Sequence, residues 1–289
     1  MNYRHVFHAG NFADVVKHAV LCRILLHLRQ KPAAFRVIDT HAGAGLYDLA
    51  GPEAARNPEW RDGIGKVMDA NFTPRVTELL APYRQAVAAC NPGGSLRWYP
   101  GSPVIVRGLL RDRDRLVACE LEPKAAATLR HAMGRDRRVK VQEADGWLAA
   151  AAGLPPPERR GVVLVDPPYE QDDDFIRLSR SLGEGHRRWA TGIFTLWYPI
   201  KGRPESDALA KRLRRLGIPK LFRVEIVVSP LSNPTRLNGC GLVVVNPPWT
   251  LEDELKEMLP ALARLLDRGT KGGGQWRLDW LAGEAAMPL

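Results

Sequence analysis

The chain has 289 residues, 45% hydrophobic and 26% charged, which suits a folded globular protein with a sizeable core and excludes a disordered or fibrous one. A formal net charge of +10 and a pI near 9.7 point to a polyanionic partner, with nucleic acid ahead of a membrane surface. The apolar stretch 19–28 is broken by Arg23 and His27 and is too short to span a bilayer; with no secretory leader before it, a cytoplasmic protein is expected.

In chain order, the N-terminal 18 residues are dense in polar groups: Tyr3, Arg4, His5, His8, Asn11, Lys17 and His18. Asn11 is placed to cap a helix, and Phe12, Val15, Val16, Ala19, Val20 and Leu28 follow helical spacing until Pro32. Strand-like runs follow at 36–40, 116–121, 139–143, 162–165, 193–197, 222–228 and 242–245. Helical patterns lie between them, from Pro123 toward Gly134 and from Pro204 to Leu216, and a last one starts at a Thr250 cap and runs toward Gly269 across Pro260. Alternating strands and helices predict a parallel sheet covered on both faces. Only a loop-like segment separates the last two runs, so these should form an antiparallel hairpin.

The gap between the first two strands is far longer than a crossover needs. Trp60, Leu79, Leu80, Tyr83 and Val87 recur there at helical spacing, which predicts a helical subdomain over 46–98, inserted after the first strand of a single domain spanning 1–289. Cys22, Cys90, Cys119 and Cys240 lack metal or redox spacing and read as small buried hydrophobes of a reducing compartment.

The predicted chemistry gathers at the carboxyl ends of the strands, where open α/β sheets bind ligands. The first strand runs into Asp39-Thr40-His41-Ala42-Gly43-Ala44-Gly45, a loop whose glycines let backbone approach a ligand. A dinucleotide fingerprint would need glycine at position 48, which is Asp48, and this counts against NAD. The loop fits the acidic, glycine-rich first motif of S-adenosylmethionine-dependent methyltransferases, with His41 in place of the usual first glycine; a plain strand-to-helix turn is the alternative. Glu120 ends the second strand where an acid can grip ribose hydroxyls, and Asp145, followed by Gly146, ends the third. The fourth strand stops at Asp166-Pro167-Pro168-Tyr169, where two prolines stiffen the backbone between a carboxylate and an aromatic ring. Enzymes that methylate an exocyclic amino group use this arrangement: the carboxylate and a prolyl carbonyl accept the amino hydrogens while the ring stacks on the base. A second such motif, Asn246-Pro247-Pro248-Trp249, ends the reversed strand on the opposite rim and is expected to be structural. The histidine, lysine and arginine near the N-terminus suit anion contacts better than a metal, because no cysteine or acid stands at ligand spacing.

Tyr3-Arg4-His5, Phe7-His8-Ala9-Gly10-Asn11, Ala13-Asp14-Val15 and Lys17-His18 resemble the start of the RlmJ-type 23S ribosomal RNA adenine-N6-methyltransferases. The same family is resembled at the Asp39–Gly45 loop, at Tyr99-Pro100-Gly101-Ser102-Pro103, at Asp166-Pro167-Pro168-Tyr169-Glu170 and at Leu196-Trp197-Tyr198-Pro199. The resemblance implies a Rossmann-like class I methyltransferase fold, here a mostly parallel seven-stranded sheet ending in an antiparallel hairpin. It implies S-adenosyl-L-methionine as cofactor, held by His18, His41, Ser102, Glu120, Asp145, Gly146 and Asp166. Catalysis would fall to Asp166, Pro167, Pro168 and Tyr169, and the expected contacts to 23S ribosomal RNA are Tyr3, Arg4 and Lys17. No metal, no membrane and a monomer are expected. The main rival is a DNA adenine-N6 or cytosine-N4 methyltransferase, although no segment is large enough for a separate target-recognition domain. A protein glutamine methyltransferase would not need the positive charge, and a binding module on a dead scaffold would not need the intact motifs.

Overall fold

The structure, a computed structural model, describes residues 5–269 and 273–284, the side chains of Ala150 and Ala151 excepted. A short 3-10 turn, His5–Phe7, leads into α1 (Phe12–Arg29), whose start is fixed by Asn11: its side-chain oxygen accepts from the backbone N–H of Ala13 (3.0 Å) and Asp14 (3.1 Å). Apolar nearly all round, α1 is buried nearly all round. β1 (Arg36–Asp39) is followed by β2 (Leu46–Asp48), which pairs antiparallel with β3 (Trp98–Pro100). Between β2 and β3 lie α2 (Pro52–Arg56), a π-type turn at Arg61–Gly65, α3 (Lys66–Asp69) and α4 (Pro74–Ala89). This segment has no core of its own. Ile64, Val67, Val76, Leu79, Leu80, Tyr83 and Val87 pack into the same apolar cluster as α1.

The chain then alternates: α5 (Ser102–Leu109), β4 (Arg115–Glu120), α6 (Pro123–Met133), β5 (Val139–Glu143), α7 (Gly146–Ala152), β6 (Gly161–Val165), α8 (Asp174–Arg188), β7 (Ile193–Ile200) and α9 (Arg203–Arg214). It closes with β8 (Leu221–Val227), β9 (Gly239–Val245), α10 (Leu251–Leu266) and β10 (Gln275–Ala282). The main sheet has the order β10-β8-β9-β7-β6-β1-β4-β5, with β5, β4, β1, β6 and β7 parallel and β9 reversed between β7 and β8. This is the expected class I methyltransferase arrangement with one addition. β10 pairs antiparallel with β8 and makes eight strands where the sequence predicts seven. Its apolar residues alternate with charged ones, and Trp276 and Trp280 stay about 40% exposed, so it lacks the continuous run that marks the inner strands.

One apolar cluster joins α1, α4, α5 and α10 to one face of the sheet, and another joins α8 and α9 to the other. β7 extends beyond its predicted end through Pro199. That proline is tolerated because the pairing of β6 with β7 stops at Leu196, so the missing N–H falls on a side with no ladder. Thr250 precedes α10, yet its side chain makes no capping hydrogen bond, and α10 continues through Pro260. The four cysteines are free, three of them buried.

Candidate active site

The parallel order sets the carboxyl ends of β6, β1, β4 and β5 side by side, and with them Asp166, the Asp39–Gly45 loop, Glu120 and Asp145. The loop turns through Gly43 (φ 62°) and Gly45 (φ 80°). Glu120 holds it in place: one carboxylate oxygen accepts from the Gly43 N–H (2.8 Å) and the other from the Glu122 N–H (2.8 Å). Asp145 caps α7 by accepting from the Trp147 N–H (2.8 Å). Gly146 packs so closely on the loop that a Cβ there would lie 1.8 Å from the Thr40 carbonyl oxygen, so only glycine fits.

Asp39 is fully buried and accepts from the Ser102 hydroxyl (2.6 Å); burial pushes its carboxyl up to about 7 against that hydrogen bond, and the nearby Asp166 charge adds to the rise. Thr40 Oγ1 donates to the Leu164 carbonyl (3.0 Å) and lies 2.7 Å from His41 Nδ1. A hydroxyl whose proton is committed in this way accepts from Nδ1–H, so His41 carries its proton on Nδ1 and presents Nε2 as an acceptor. Burial lowers the His41 ring to about 4, so it is neutral at pH 7. Its ring meets Trp147 edge-on at 5.2 Å, and the Arg177 guanidinium covers Trp147 at 4.9 Å.

The N-terminal helix reaches the Asp166 motif through Lys17. Its ammonium bonds Asp166 Oδ2 and, one turn back, Asp14 Oδ1 (2.8 Å). Asp14 also accepts from the Gly10 N–H (2.9 Å) and pairs with His5 Nε2 (3.0 Å). Burial acts against both charges of the pair, but the mutual attraction dominates: Lys17 is held well above its ordinary value and Asp14 well below. The expectation that Lys17 contacts RNA is therefore corrected. Only 4% exposed and bound by two carboxylates, it faces the interior of the site, not a phosphate in solvent. Tyr3 and Arg4 lie outside the described residues.

His18 is likewise buried. Its Nδ1 lies 2.7 Å from the Tyr99 hydroxyl, which lies 2.9 Å from that of Tyr83, and among the described residues its Nε2 has no partner. Burial lowers it to about 3, so it offers a neutral ring where an anion-pairing cation was expected.

After β6, Pro167 is buried and Pro168 exposed, and Tyr169 takes a positive φ of 54°, an uncommon conformation for a bulky residue. The surroundings enforce it. The Tyr169 hydroxyl donates to the Trp197 carbonyl (2.6 Å), and its ring packs on Phe175 (4.9 Å) and Trp197 (5.6 Å). The second motif serves the scaffold: Asn246 donates its side-chain amide to the carbonyls of Ala190 and Gly192 (both 2.8 Å), tying the end of β9 to the loop that enters β7.

Sequence reasoning passed over Asp14 as a hub and gave Trp147, Tyr83 and Arg177 no role at the site. The spacing of Asp14 with Lys17 and His18, three and four residues on, places all three on one helix face and was the available signal. Among the described residues no group of three His, Cys, Asp or Glu is arranged to hold a metal, and no helix is long and apolar enough to cross a membrane.

Residues 32–282 match the family model of Ribosomal RNA large subunit methyltransferase D, RlmJ. The chain is 41% identical over 285 residues to Ribosomal RNA large subunit methyltransferase J of Haemophilus influenzae and 40% identical to that of Escherichia coli, covering 98% of this chain and the whole of each relative. A crystal structure of a Legionella pneumophila protein superposes with a TM-score of 0.86 at 32% identity, over 94% of this chain and 98% of that one. With the strand order, the glycine loop and the Asp166 motif in their places, these matches show that the chain belongs to the family of Ribosomal RNA large subunit methyltransferase D, RlmJ.

Proposed function

We propose that the chain transfers a methyl group from S-adenosylmethionine to the N6 amino group of one adenine in 23S ribosomal RNA, acting in the cytoplasm. The observation that carries this reading is the Asp166 motif at the end of β6, with Tyr169 pinned beside it and the glycine loop of the adjacent β1 alongside. The residues present fit the cofactor. Leu121 (64% exposed) and Leu148 (72%) stand beside Glu120 and Asp145, an apolar and acidic pairing suited to a nucleoside, while the buried His18 Nε2 and Asp39 Oδ1 have no hydrogen-bond partner among the described residues. When bound, the cofactor supplies an electrophilic methyl group on a positively charged sulfur.

The chain's own residues do the rest. The amino nitrogen of adenine is a poor nucleophile because its lone pair is delocalised into the ring. Lys17 holds Oδ2 of Asp166, and among the described residues none donates to Oδ1. Oδ1 and a prolyl carbonyl can then accept the two amino hydrogens and turn the lone pair outward, and the Asp166 carboxylate can take the proton released on transfer or pass it to water. A base stacked on Tyr169 gains about 1–3 kcal/mol, which helps offset its removal from the helix. The net charge of +10 supports a nucleic-acid substrate over a protein one.

The test is tritium transfer from labelled S-adenosylmethionine to unmodified 23S ribosomal RNA, with DNA of equal length alongside. Label in RNA alone, recovered as N6-methyladenosine at one position and reduced at least a hundredfold by Asp166→Ala with cofactor binding kept, is the expected result. Label in DNA, or full activity of Asp166→Ala, overturns it.

A further inference from the structure

The parallel strands begin on the rim opposite the catalytic motif, and much of the chain's positive charge is concentrated there. The segments leading into β1, β4, β5 and β6, residues 29–36, 111–115, 135–138 and 158–160, hold eleven Arg or Lys against four Asp or Glu. That surplus of +7 compares with +10 for the whole chain. Register sets Arg36 beside Arg115 and Gly161, and Leu116 beside Val139. Arg160, Arg36, Arg115 and Arg138 thus stand at the starts of four adjacent strands, a front of about 14 Å at about 4.8 Å per strand.

Part of this arginine is structural. Arg160 donates to the carbonyls of Leu28 and Ala33, and Arg111 to those of Arg29 and Lys31, which satisfies the open carbonyl end of α1 and the turn after it. Such bonds to neutral carbonyls leave the guanidinium charge uncompensated. Three of the four acids are already paired, Glu158 with Arg36, Asp114 with Arg111 and Asp136 with Arg138. Arg113, Arg135 and Arg137 are exposed, and among the described residues they make no salt bridge with a carboxylate. No carbonyl-capping need explains Arg135 and Arg137.

We infer that this rim is a second docking surface for the phosphate backbone of the same ribosomal RNA, an inference that rests on the substrate proposed above. The six residues of β4 separate the rim from the catalytic edge by about 20 Å, so the segment bound there is remote from the methylated base. Charge complementarity selects the occupant: a planar, permanently charged guanidinium fork matches phosphate oxygens, and the row presents several in line.

The experiment is filter binding of unmodified full-length 23S ribosomal RNA over a KCl series. It compares the wild type, an R113Q/R135Q/R137Q variant and a control of equal charge loss, R180Q/R187Q/R215Q, on exposed positions of the α8 and α9 side. Each lost phosphate contact should lower the slope of log K against log salt by about 0.7–0.9. The rim variant is expected to lose about two units of slope and bind roughly tenfold or more weakly near 0.15 M salt, with an unchanged single-turnover methylation rate at saturating RNA, while the control changes much less. An unchanged slope in the rim variant, or equal losses in both variants, overturns the inference. Failure of the wild type to methylate RNA would instead strike the substrate reading, and the tritium assay detects that separately.

Discussion

Lys17 stands between two carboxylates that would otherwise repel each other across α1 and the end of β6. Replacing it with methionine keeps the volume and removes the charge, leaving buried Asp14 with His5 and the Gly10 N–H and, among the described residues, Asp166 with no cation. Lys17→Met should cost roughly 3–5 kcal/mol of stability, as for any buried ion pair broken on one side, and should nearly abolish methyl transfer. Adding Asp14→Asn should restore much of the stability in urea unfolding but little of the activity; recovery of both would show that Lys17 does not orient Asp166. His18 gives the pH dependence. Its ring is lowered from 6.5 to about 3 in the fold, so the unfolded chain binds the proton first and stability is lost as pH falls from about 6.5 toward 3, with a limiting slope of about 1.4 kcal/mol per unit. Asp39, raised to about 7, contributes with the opposite sign, its share being lost as pH rises from 3.8 through 7. The difference between the wild type and His18→Gln isolates the histidine: urea unfolding should show a flatter curve for the variant between pH 6.5 and 4.5, and parallel curves would sink the assignment.

At the scale of elements, β10 is attached to the sheet by charge as much as by its ladder. Arg223 of β8, 1% exposed, makes a two-pronged bond to Asp279 (2.8 Å each), and its neighbour Glu225 is held by Arg203 (2.7 Å) and Tyr198 (2.8 Å). Asp279→Ala leaves the buried guanidinium with only the longer ion pair to Glu225 (3.7 Å) and should cost roughly 2–4 kcal/mol, a figure reduced for the partial exposure of Asp279. Arg223→Met should cost less, because Glu225 loses only its long ion pair to Arg223 (3.7 Å) and keeps Arg203 and Tyr198, while Asp279 is partly exposed. Urea midpoints check the ranking, and methyl transfer at low temperature should survive both changes, since β10 lies at the far edge from the cofactor crevice. These elements also show where sequence reasoning stops. The inner strands were legible because burial on both faces favours apolar runs such as those of β6 and β9, and in β8 the buried Arg223 and Glu225 interrupt such a run only because each is paired. Ser102–Leu109 carries the similar run Val104-Ile105-Val106, yet Pro103 at its first turn and packing against α1 make it a helix. The acids at the strand ends were legible for a similar reason: parallel register alone aligns Asp39, Glu120, Asp145 and Asp166. The bond from Lys17 to Asp166 was not, because the two are 149 positions apart and no local pattern encodes a contact between helix and strand at that separation.

For the whole molecule, the segment between β2 and β3 behaves as part of the N-terminal helix more than as an appendage of the sheet. Glu59 accepts from Asn11 (3.0 Å) and pairs with His8 (3.0 Å), Ile64 donates its backbone N–H to the Gly10 carbonyl (2.8 Å), and Gly63 packs so closely that a Cβ would lie 2.1 Å from that carbonyl oxygen. The first two turns of α1 carry Asp14 and Lys17 to the Asp166 carboxylate. A protein engineer moving this insertion to another methyltransferase would therefore have to move α1 with it. The portable unit is discontinuous in the chain, and a graft that respected only the boundaries of the insertion would leave its best-packed face without a partner.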